Sequence, residues 1–246
     1  MTQGFGPKVD GFDHFQFGDH KALKKSITSR TAAIMVETIM GEGGIKVIPD
    51  WCLKELRKIC NKKKILLILD EVQCGIGRSG NFFAFENSKI KPDIVPIAKG
   101  IGGGFPVGAV LATERAAAGM VPGTHGSTYG GNPLAMAAAN AVLDIMLEPN
   151  FLDSVQEKGD YLKKELDTLV KSYPNVMESV RGTGLMLGIK CCVPNLDLMT
   201  AFRNHKLLTV VAGENVLRIL PPLNVEISEL DEAIEIMDKV CKKMPV

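Results

Sequence analysis

The sequence predicts an α/β chain, with a large α/β domain over residues 1–150 and a small α+β domain over residues 151–246. Two apolar runs, at 65–69 and 94–98, lack alternation and are accompanied by helical patterns. Continuous apolar strands of this kind are typical of a sheet covered on both faces. A change near residue 174 to short strands and a final helix predicts the second domain.

The first domain is predicted to contain four strands and two helices. The strands are predicted by apolar runs at 32–36, 65–69, 94–98 and 107–111. One helix begins at Pro49 and Asp50, and its apolar positions are Trp51, Leu53, Leu56, Ile59 and Cys60. A second helix runs from Asn132 to about Leu147, because the proline at position 133 suits a first helical turn.

The second domain begins with a long amphipathic helix, predicted from Phe151 to Tyr173. Four short strands are predicted to follow it, at 176–180, 185–191, 207–211 and 216–220. The last helix starts at Ser228, whose spacing to Asp231 matches a capping box. We therefore place the domain boundary within residues 145–175.

The composition narrows the possible functions. The chain has 246 residues, of which 46% are hydrophobic and 23% are charged, so it can bury a core. A net charge of +1 gives no support to a nucleic-acid partner. Six cysteines without a C-x-x-C pair indicate reduced thiols and a cytoplasmic location. We find no signal-peptide pattern and no apolar stretch of membrane length, so no membrane partner is expected.

Lys99 and Asp70 each stand at the end of an apolar run. A lysine amine condenses with an aldehyde, and a carboxylate pairs with a pyridinium nitrogen, so this pair suits a Schiff-base cofactor. Each residue alone has a simpler interpretation, since a strand-end lysine is usually solvated and a strand-end acid often caps the next element. Apolar residues before Lys99 and glycines after it predict a desolvated, nucleophilic amine.

The segment Gly75–Gly80 matches the G-x-G-x-x-G pattern of dinucleotide-binding folds. Its context argues against that function, because five residues separate it from the preceding strand and no helix start follows it. A nucleotide-binding oxidoreductase is therefore the weakest alternative, and a flexible active-site loop is the interpretation that we favour.

Hydroxyls and glycines precede the helix that starts at Asn132. Ser127 and Thr128 lie in this segment, where a helix N-terminus can bind a phosphate or a carboxylate. An ordinary N-terminal cap is an equal alternative. His125 is interpreted as structural, because a proton-shuttling lysine makes a second base unnecessary.

Several segments together resemble the class III (ornithine-type) pyridoxal-phosphate aminotransferases. The matching segments are Val36–Gly44, Asp70–Gln73, Gly75–Gly80, Ala98–Gly104 and Gly126–Pro133. The resemblance covers nearly the whole chain. It implies pyridoxal 5′-phosphate as cofactor and the type I fold of enzymes that use it, with a large domain that is incomplete at its N-terminus and a small C-terminal domain.

The resemblance implies a role for each matching residue. Lys99 would bind the cofactor covalently and move a proton between the substrate carbon and the cofactor. Asp70, Glu71, Val72 and Gln73 would contact the cofactor, with Asp70 on the pyridine nitrogen and Gln73 on the ring oxygen.

The resemblance assigns further residues to the substrate and to a second copy of the chain. Thr128 would bind the cofactor phosphate across a homodimer interface, and Ser127 would lie near the substrate. Glu42 and Arg218 resemble a paired gate that chooses between substrate carboxylates, although a structural ion pair explains Arg218 equally well. No metal is implied.

The implied activity is the transfer of an amino group from N-acetylornithine to 2-oxoglutarate, a step of arginine biosynthesis. Succinylornithine, ornithine and 4-aminobutyrate are alternative donors, and a non-catalytic remnant is an alternative of a different kind. The sequence departs from the family pattern at Thr38 and Met40, where proline and glutamine are frequent. It also begins midway through that pattern, so we expect a fragment or shortened product with reduced stability or activity.

Overall fold

A computed structural model describes residues 4–244. The ends of the two predicted domains, 1–3 and 245–246, lie outside the described residues. The start of the N-terminal segment, which lacks a signal-peptide pattern, lies outside them as well. The helices are α1 His20–Ser26, α2 Asp50–Lys63, α3 Glu114–Ala117, α4 Pro133–Met146, α5 Phe151–Ser172, α6 Asn195–Asn204 and α7 Ile227–Cys241. The strands are β1 Ala33–Glu37, β2 Ile39–Met40, β3 Lys46–Val47, β4 Leu66–Asp70, β5 Ile94–Ile97, β6 Ala109–Ala112, β7 Met177–Thr183, β8 Met186–Cys191, β9 Val210–Ala212 and β10 Val216–Ile219. Two 3₁₀ helices lie at Ala84–Ser88 and Lys99–Gly102.

The first sheet has the strand order β1-β4-β5-β6. Strands β1, β4 and β5 are parallel, and β6 is antiparallel to β5. Helix α2 makes the crossover between β1 and β4, which a parallel connection requires. The parallel arrangement brings three carboxyl ends to one edge of the sheet, where Glu37 lies opposite Asp70 in the register.

Two expectations about apolar residues are wrong. Strand β6 was predicted as part of a sheet covered on both faces, but all four of its residues are exposed. It is an edge strand, and an apolar run does not distinguish an edge position from a central one. Trp51 was predicted among the apolar positions of α2, yet it is 58% exposed beside the ring of His20.

The second sheet is antiparallel, with the order β7-β8-β10-β9. Helices α5, α6 and α7 pack around it and enclose one hydrophobic cluster, while a second cluster lies around β4 and α2. The division near residue 150 stays a prediction, and the separation of these two clusters supports it. None of the helices within residues 4–244 combines the length and the apolar character that crossing a bilayer requires.

Helix α7 begins differently from the prediction. Its capping box is formed by Glu226 and Glu229, not by Ser228 and Asp231, because the helix starts one residue before Ser228. The Asp231 carboxylate instead accepts a hydrogen bond from the Tyr161 hydroxyl of α5. This bond raises the pKa of Tyr161 to about 12 and links the two helices.

Asp93 holds the start of β5 in place. Its side chain is buried and accepts hydrogen bonds from Arg57 at 2.7 Å, Arg115 at 2.9 Å and the Leu67 amide at 2.8 Å. Burial raises the pKa of this carboxyl, but the three donors outweigh burial and leave the pKa below its ordinary value of 3.8. A carboxyl whose pKa is lowered by folding stabilises the protein above its unfolded pKa, and that contribution is lost as the pH falls through the folded value.

We therefore expect Asp93→Asn to lower the free energy of unfolding at pH 7 by about 3 kcal/mol, since it leaves Arg57 without its charged partner. The free energy of unfolding of the variant should also fall less between pH 5 and pH 2 than that of the wild type, because one linked carboxyl is gone. Urea unfolding across that pH range measures both effects. The matched control is Glu55→Gln, which removes an exposed ion pair with Lys58 and should leave stability unchanged. Equal pH profiles for wild type and Asp93→Asn would contradict this expectation.

Candidate active site

The carboxyl ends of β1, β4 and β5 gather the polar side chains of the site. Glu37 and Asp70 are the last residues of β1 and β4, and Lys99 follows β5 after one alanine. Burial raises the pKa of the Glu37 carboxyl, the charges of Asp70 and Glu42 raise it further, and the Gly41 amide and Lys99 lower it. The structure therefore places Asp70 and Lys99 at the exits of two adjacent parallel strands, at the edge where open α/β sheets bind their ligands.

In the turn after β4, the side chains of Asp70, Glu71 and Gln73 have different hydrogen-bond partners. Asp70 Oδ1 accepts a hydrogen bond from the Val72 amide at 2.9 Å, and Gln73 Oε1 accepts one from Arg218 at 3.4 Å. Glu71 is 0% exposed, and its two oxygens are bonded to the Thr38 hydroxyl and the Ala84 amide. Burial raises the pKa of Glu71, and those two bonds oppose the increase.

That Glu71 contacts a cofactor stays a prediction from the resemblance. Its carboxylate is buried, and each of its two oxygens accepts a hydrogen bond from within the protein. The bonds of Glu71 anchor the turn that carries Asp70 and Gln73.

Lys99 has an unusual backbone conformation. Its φ is +52°, in the left-handed region, which costs a non-glycine residue about 1 kcal/mol. Its side chain lines a cavity of roughly 730 Å³ together with Gln73 and Arg78, and no aspartate or glutamate of the described residues lines that cavity. Strained backbone of this kind is often found at functional sites.

Lys99 is nevertheless exposed, so the predicted desolvation of its amine is not observed. The bend that follows explains the difference, because Gly103 and Gly104 are exposed and carry no side chain that covers the lysine. Their positive φ values, +55° and +105°, show that the tight bend uses the conformational freedom of glycine.

The segment Gly75–Gly80 is packed, which corrects the prediction of a flexible loop. The Arg78 guanidinium donates to the backbone carbonyls of Leu185 and Pro221. The Leu185 amide donates in return to the backbone carbonyl of Arg78 at 3.1 Å. A Cβ on Gly77 would come within 2.8 Å of Met146. The segment therefore lines the cavity and also joins the two hydrophobic clusters.

Arg218 and Glu42 form an ion pair of 2.6 Å, as the sequence predicted. Arg218 lies in the middle of β10 and is 5% exposed, whereas the Glu42 side chain is half exposed. The Nε atom of Arg218 is buried without a hydrogen-bond partner in the described part of the chain. A buried guanidinium with an accessible carboxylate partner fits a gate and a structural pair alike.

Ser127 and Thr128 do not meet the other residues of the site. They lie with His125 in an exposed segment and are not among the residues that line the cavity. The N-cap of α4 is Asn132, whose side chain accepts from the Ala135 amide at 2.9 Å. Capping of α4 therefore does not explain Ser127 or Thr128.

Sequence analysis missed two residues of the site. Glu37 ends a strand that an apolar run predicts, just as Asp70 does, so the same reasoning would have found it. Arg78 gave no signal, because its partners are more than a hundred positions away in the chain. No cluster of three or more His, Cys, Asp or Glu residues suited to a metal ion occurs within residues 4–244.

Comparison with known proteins shows the family of the chain. The model of the aminotransferase class-III family matches residues 10–241. The chain is 56% identical over 232 residues to the acetylornithine aminotransferase of Mesorhizobium japonicum, and 50% identical over 244 residues to that of Brucella melitensis.

The chain belongs to the class III aminotransferases. This membership confirms the resemblance seen in the motifs, and the structural neighbours confirm the predicted fold class. The acetylornithine aminotransferase of Elizabethkingia anophelis superposes with a TM-score of 0.89 at 33% identity, over 98% of this chain and 62% of that one. The ornithine aminotransferase of Toxoplasma gondii, solved with partial occupancy of PLP at its active site, gives a TM-score of 0.91 at 30% identity, over 97% and 58%.

The chain covers less than two thirds of the length of these class III relatives. The match to the Mesorhizobium protein includes 94% of this chain and 58% of that protein. The match to the Brucella protein includes 99% of this chain and 60% of that protein. The relatives therefore extend beyond the part of the family pattern that this chain contains.

The ion pair of Arg218 allows a test of the site's internal structure. Glu42→Ala should lower the free energy of unfolding by about 2 kcal/mol, because it leaves a buried guanidinium without its carboxylate. Glu42→Gln keeps a hydrogen-bond acceptor and should cost less. Chemical unfolding at pH 7 measures the difference. If Glu42→Ala unfolds at the same denaturant concentration as the wild type, the pair does not support the fold.

Proposed function

We propose that the chain carries out pyridoxal-phosphate-dependent transamination, with N-acetylornithine as amino donor and 2-oxoglutarate as acceptor, a step of arginine biosynthesis. The observation that carries this proposal is that Asp70 and Lys99 follow the carboxyl ends of adjacent parallel strands, and that Lys99 and Gln73 line one cavity there. The names of the most similar relatives support the choice of substrates, since the Mesorhizobium and Brucella proteins are acetylornithine aminotransferases.

The residues at these strand ends fit the cofactor. The site offers an amine, a carboxylate and an amide, and the buried Arg218 Nε still lacks a partner among the described residues. When bound, the cofactor supplies an electron sink for negative charge on the substrate carbon. The donor set is thus suited to an anionic molecule with a basic ring nitrogen.

Each side chain then has a defined task. Asp70 holds the proton on the ring nitrogen, because an adjacent carboxylate favours the protonated form. Gln73 uses Oε1 for Arg218, which leaves its Nε2 to donate to the ring oxygen. Val72 would contact the cofactor, and Lys99 would hold it through Nζ and carry the transferred proton on that atom.

Arg218 is proposed to bind the second carboxylate of 2-oxoglutarate. Glu42 neutralises Arg218 at 2.6 Å and is half exposed, so it can move away without opening the core. The donor N-acetylornithine does not require that cation, and Glu42 then keeps it occupied. This exchange lets one site accept two different substrates.

A homodimer is proposed to complete the site. Ser127 and Thr128 lie in an exposed segment away from the cavity, which suits contacts with a second copy. Exposed apolar side chains on β6 and α4, among them Val110 and Leu134, also support an interface. A cytoplasmic location remains a prediction from the cysteine pattern.

Ornithine is the alternative amino donor that a specific observation favours, because the Toxoplasma neighbour is an ornithine aminotransferase. Initial rates with N-acetylornithine, succinylornithine, ornithine and 4-aminobutyrate, measured in competition, separate these alternatives. A chain that does not bind pyridoxal phosphate at all would instead favour the non-catalytic remnant.

We expect pyridoxal phosphate to give the absorption band of a lysine-bound cofactor, and Lys99→Ala to abolish that band. Lys89→Ala is a matched control, because Lys89 is also exposed and has nearly the same left-handed backbone, with φ of +55°. Absorbance titration of the three proteins measures the effect. A band that persists in Lys99→Ala would overturn the role of Lys99, and its loss in Lys89→Ala would point to nonspecific damage.

We expect Asp70→Asn to reduce the transamination rate on the order of 100-fold, because an amide cannot stabilise the protonated ring nitrogen. The cofactor should still bind through Lys99, so the absorption band should remain. Single-turnover rates with N-acetylornithine measure the change, and Asp197→Asn at the exposed start of α6 is the control. An Asp70→Asn rate within about twofold of the wild type would contradict the assignment.

A further inference from the structure

Thr38 and Glu71 form a hydrogen bond between two side chains that are almost completely buried. Thr38 is 2% exposed and Glu71 is 0% exposed, and the Thr38 hydroxyl donates to Glu71 Oε1 at 2.5 Å. Each residue comes directly after the last residue of a strand, Thr38 after β1 and Glu71 after β4. The bond therefore joins the exits of two neighbouring strands, one position beyond the pair Glu37 and Asp70.

Glu71 is held by further bonds that come from other directions. The Ala84 amide donates to Glu71 Oε2 at 2.8 Å, and the Glu71 amide donates to the Pro96 carbonyl at 3.1 Å. The Gly75 amide donates to the Glu71 carbonyl at 3.0 Å. These contacts fix the turn to β5 and to its own loop, and the bond from Thr38 fixes it to the exit of β1.

Arg218 also connects the segments that follow the two strands. The segment that starts at Thr38 carries Glu42, which pairs with Arg218 at 2.6 Å. Arg218 in turn donates to Gln73 at 3.4 Å, two residues after Glu71. Three side-chain contacts and two short stretches of the chain thus form a closed loop, which contains Thr38, Glu71, Gln73, Arg218 and Glu42.

We propose that Thr38 is a positioning residue, whose hydroxyl sets the Asp70–Gln73 turn relative to the segment that carries Glu42. What the positioned residues do rests on the proposed function, but the positioning itself does not. The Thr38 hydroxyl is the donor to Glu71 Oε1 in this bond. Without it, the buried Glu71 Oε1 loses its hydroxyl donor, and the turn loses its side-chain bond to the residue that follows β1.

The first test measures backbone amide exchange in the full chain without cofactor. Thr38→Val keeps the side-chain shape and removes the donor, so the Val72 and Gly75 amides should exchange about 10-fold faster, relative to global unfolding. Thr38→Ser keeps the donor and should stay near the wild type. If Thr38→Val does not fold, Thr38→Cys, with its weaker donor, should give an intermediate increase.

Ser88→Ala is the matched control, because Ser88 is also 0% exposed and its hydroxyl donates to the Phe85 carbonyl at 2.6 Å. It should leave exchange at Val72 and Gly75 unchanged. Unchanged exchange in Thr38→Val, equal acceleration in Thr38→Ser, or equal acceleration in Ser88→Ala would each overturn the proposal.

The second test titrates the same variants with pyridoxal phosphate. Thr38→Val should weaken binding about 10-fold, while Thr38→Ser and Ser88→Ala should bind as the wild type does. If the wild type itself does not bind, the proposed function fails, and amide exchange still decides whether Thr38 positions the turn. If the wild type binds and Thr38→Val binds equally well, the positioning of Asp70 and Gln73 by Thr38 is disproved.

Discussion

The parallel pairing of β1 with β4 is the constraint on which the rest of the site depends. It aligns Glu37 with Asp70 at the last position of the ladder and brings both strand exits to one edge of the sheet. The segments that follow then start side by side, so that Thr38 reaches Glu71 and Glu42 reaches Arg218. A shift of this register by one residue would exchange the inward and outward faces and separate all of these contacts.

The polar residues divide into a buried set and an accessible set. Glu71 and Asp93 are buried and satisfied by internal donors, and they hold the turn after β4 and the start of β5. Asp70 and Lys99 lie at the strand ends with fewer internal bonds. This division leaves Asp70 and Lys99 available while the backbone that carries them is fixed, an arrangement that would suit the proposed catalytic site.

Much of the fold followed from the sequence, because continuous apolar runs and helix starts are local signals. The strands that end at Asp70 and just before Lys99 were predicted nearly to the residue, and their parallel pairing brought the two together. The positions of Arg78 and Glu71 could not be predicted in this way. Arg78 bonds to Leu185, 107 positions away, and Glu71 faces inward because of a turn geometry that no local pattern specifies.

The left-handed backbone at Lys99 has a consequence for how the chain balances stability against chemistry. Glycine adopts that conformation without strain, and glycines already occupy several of the following positions. A sequence chosen for stability alone would therefore carry glycine at position 99 as well. The lysine side chain is therefore retained at a conformational cost in every folded molecule.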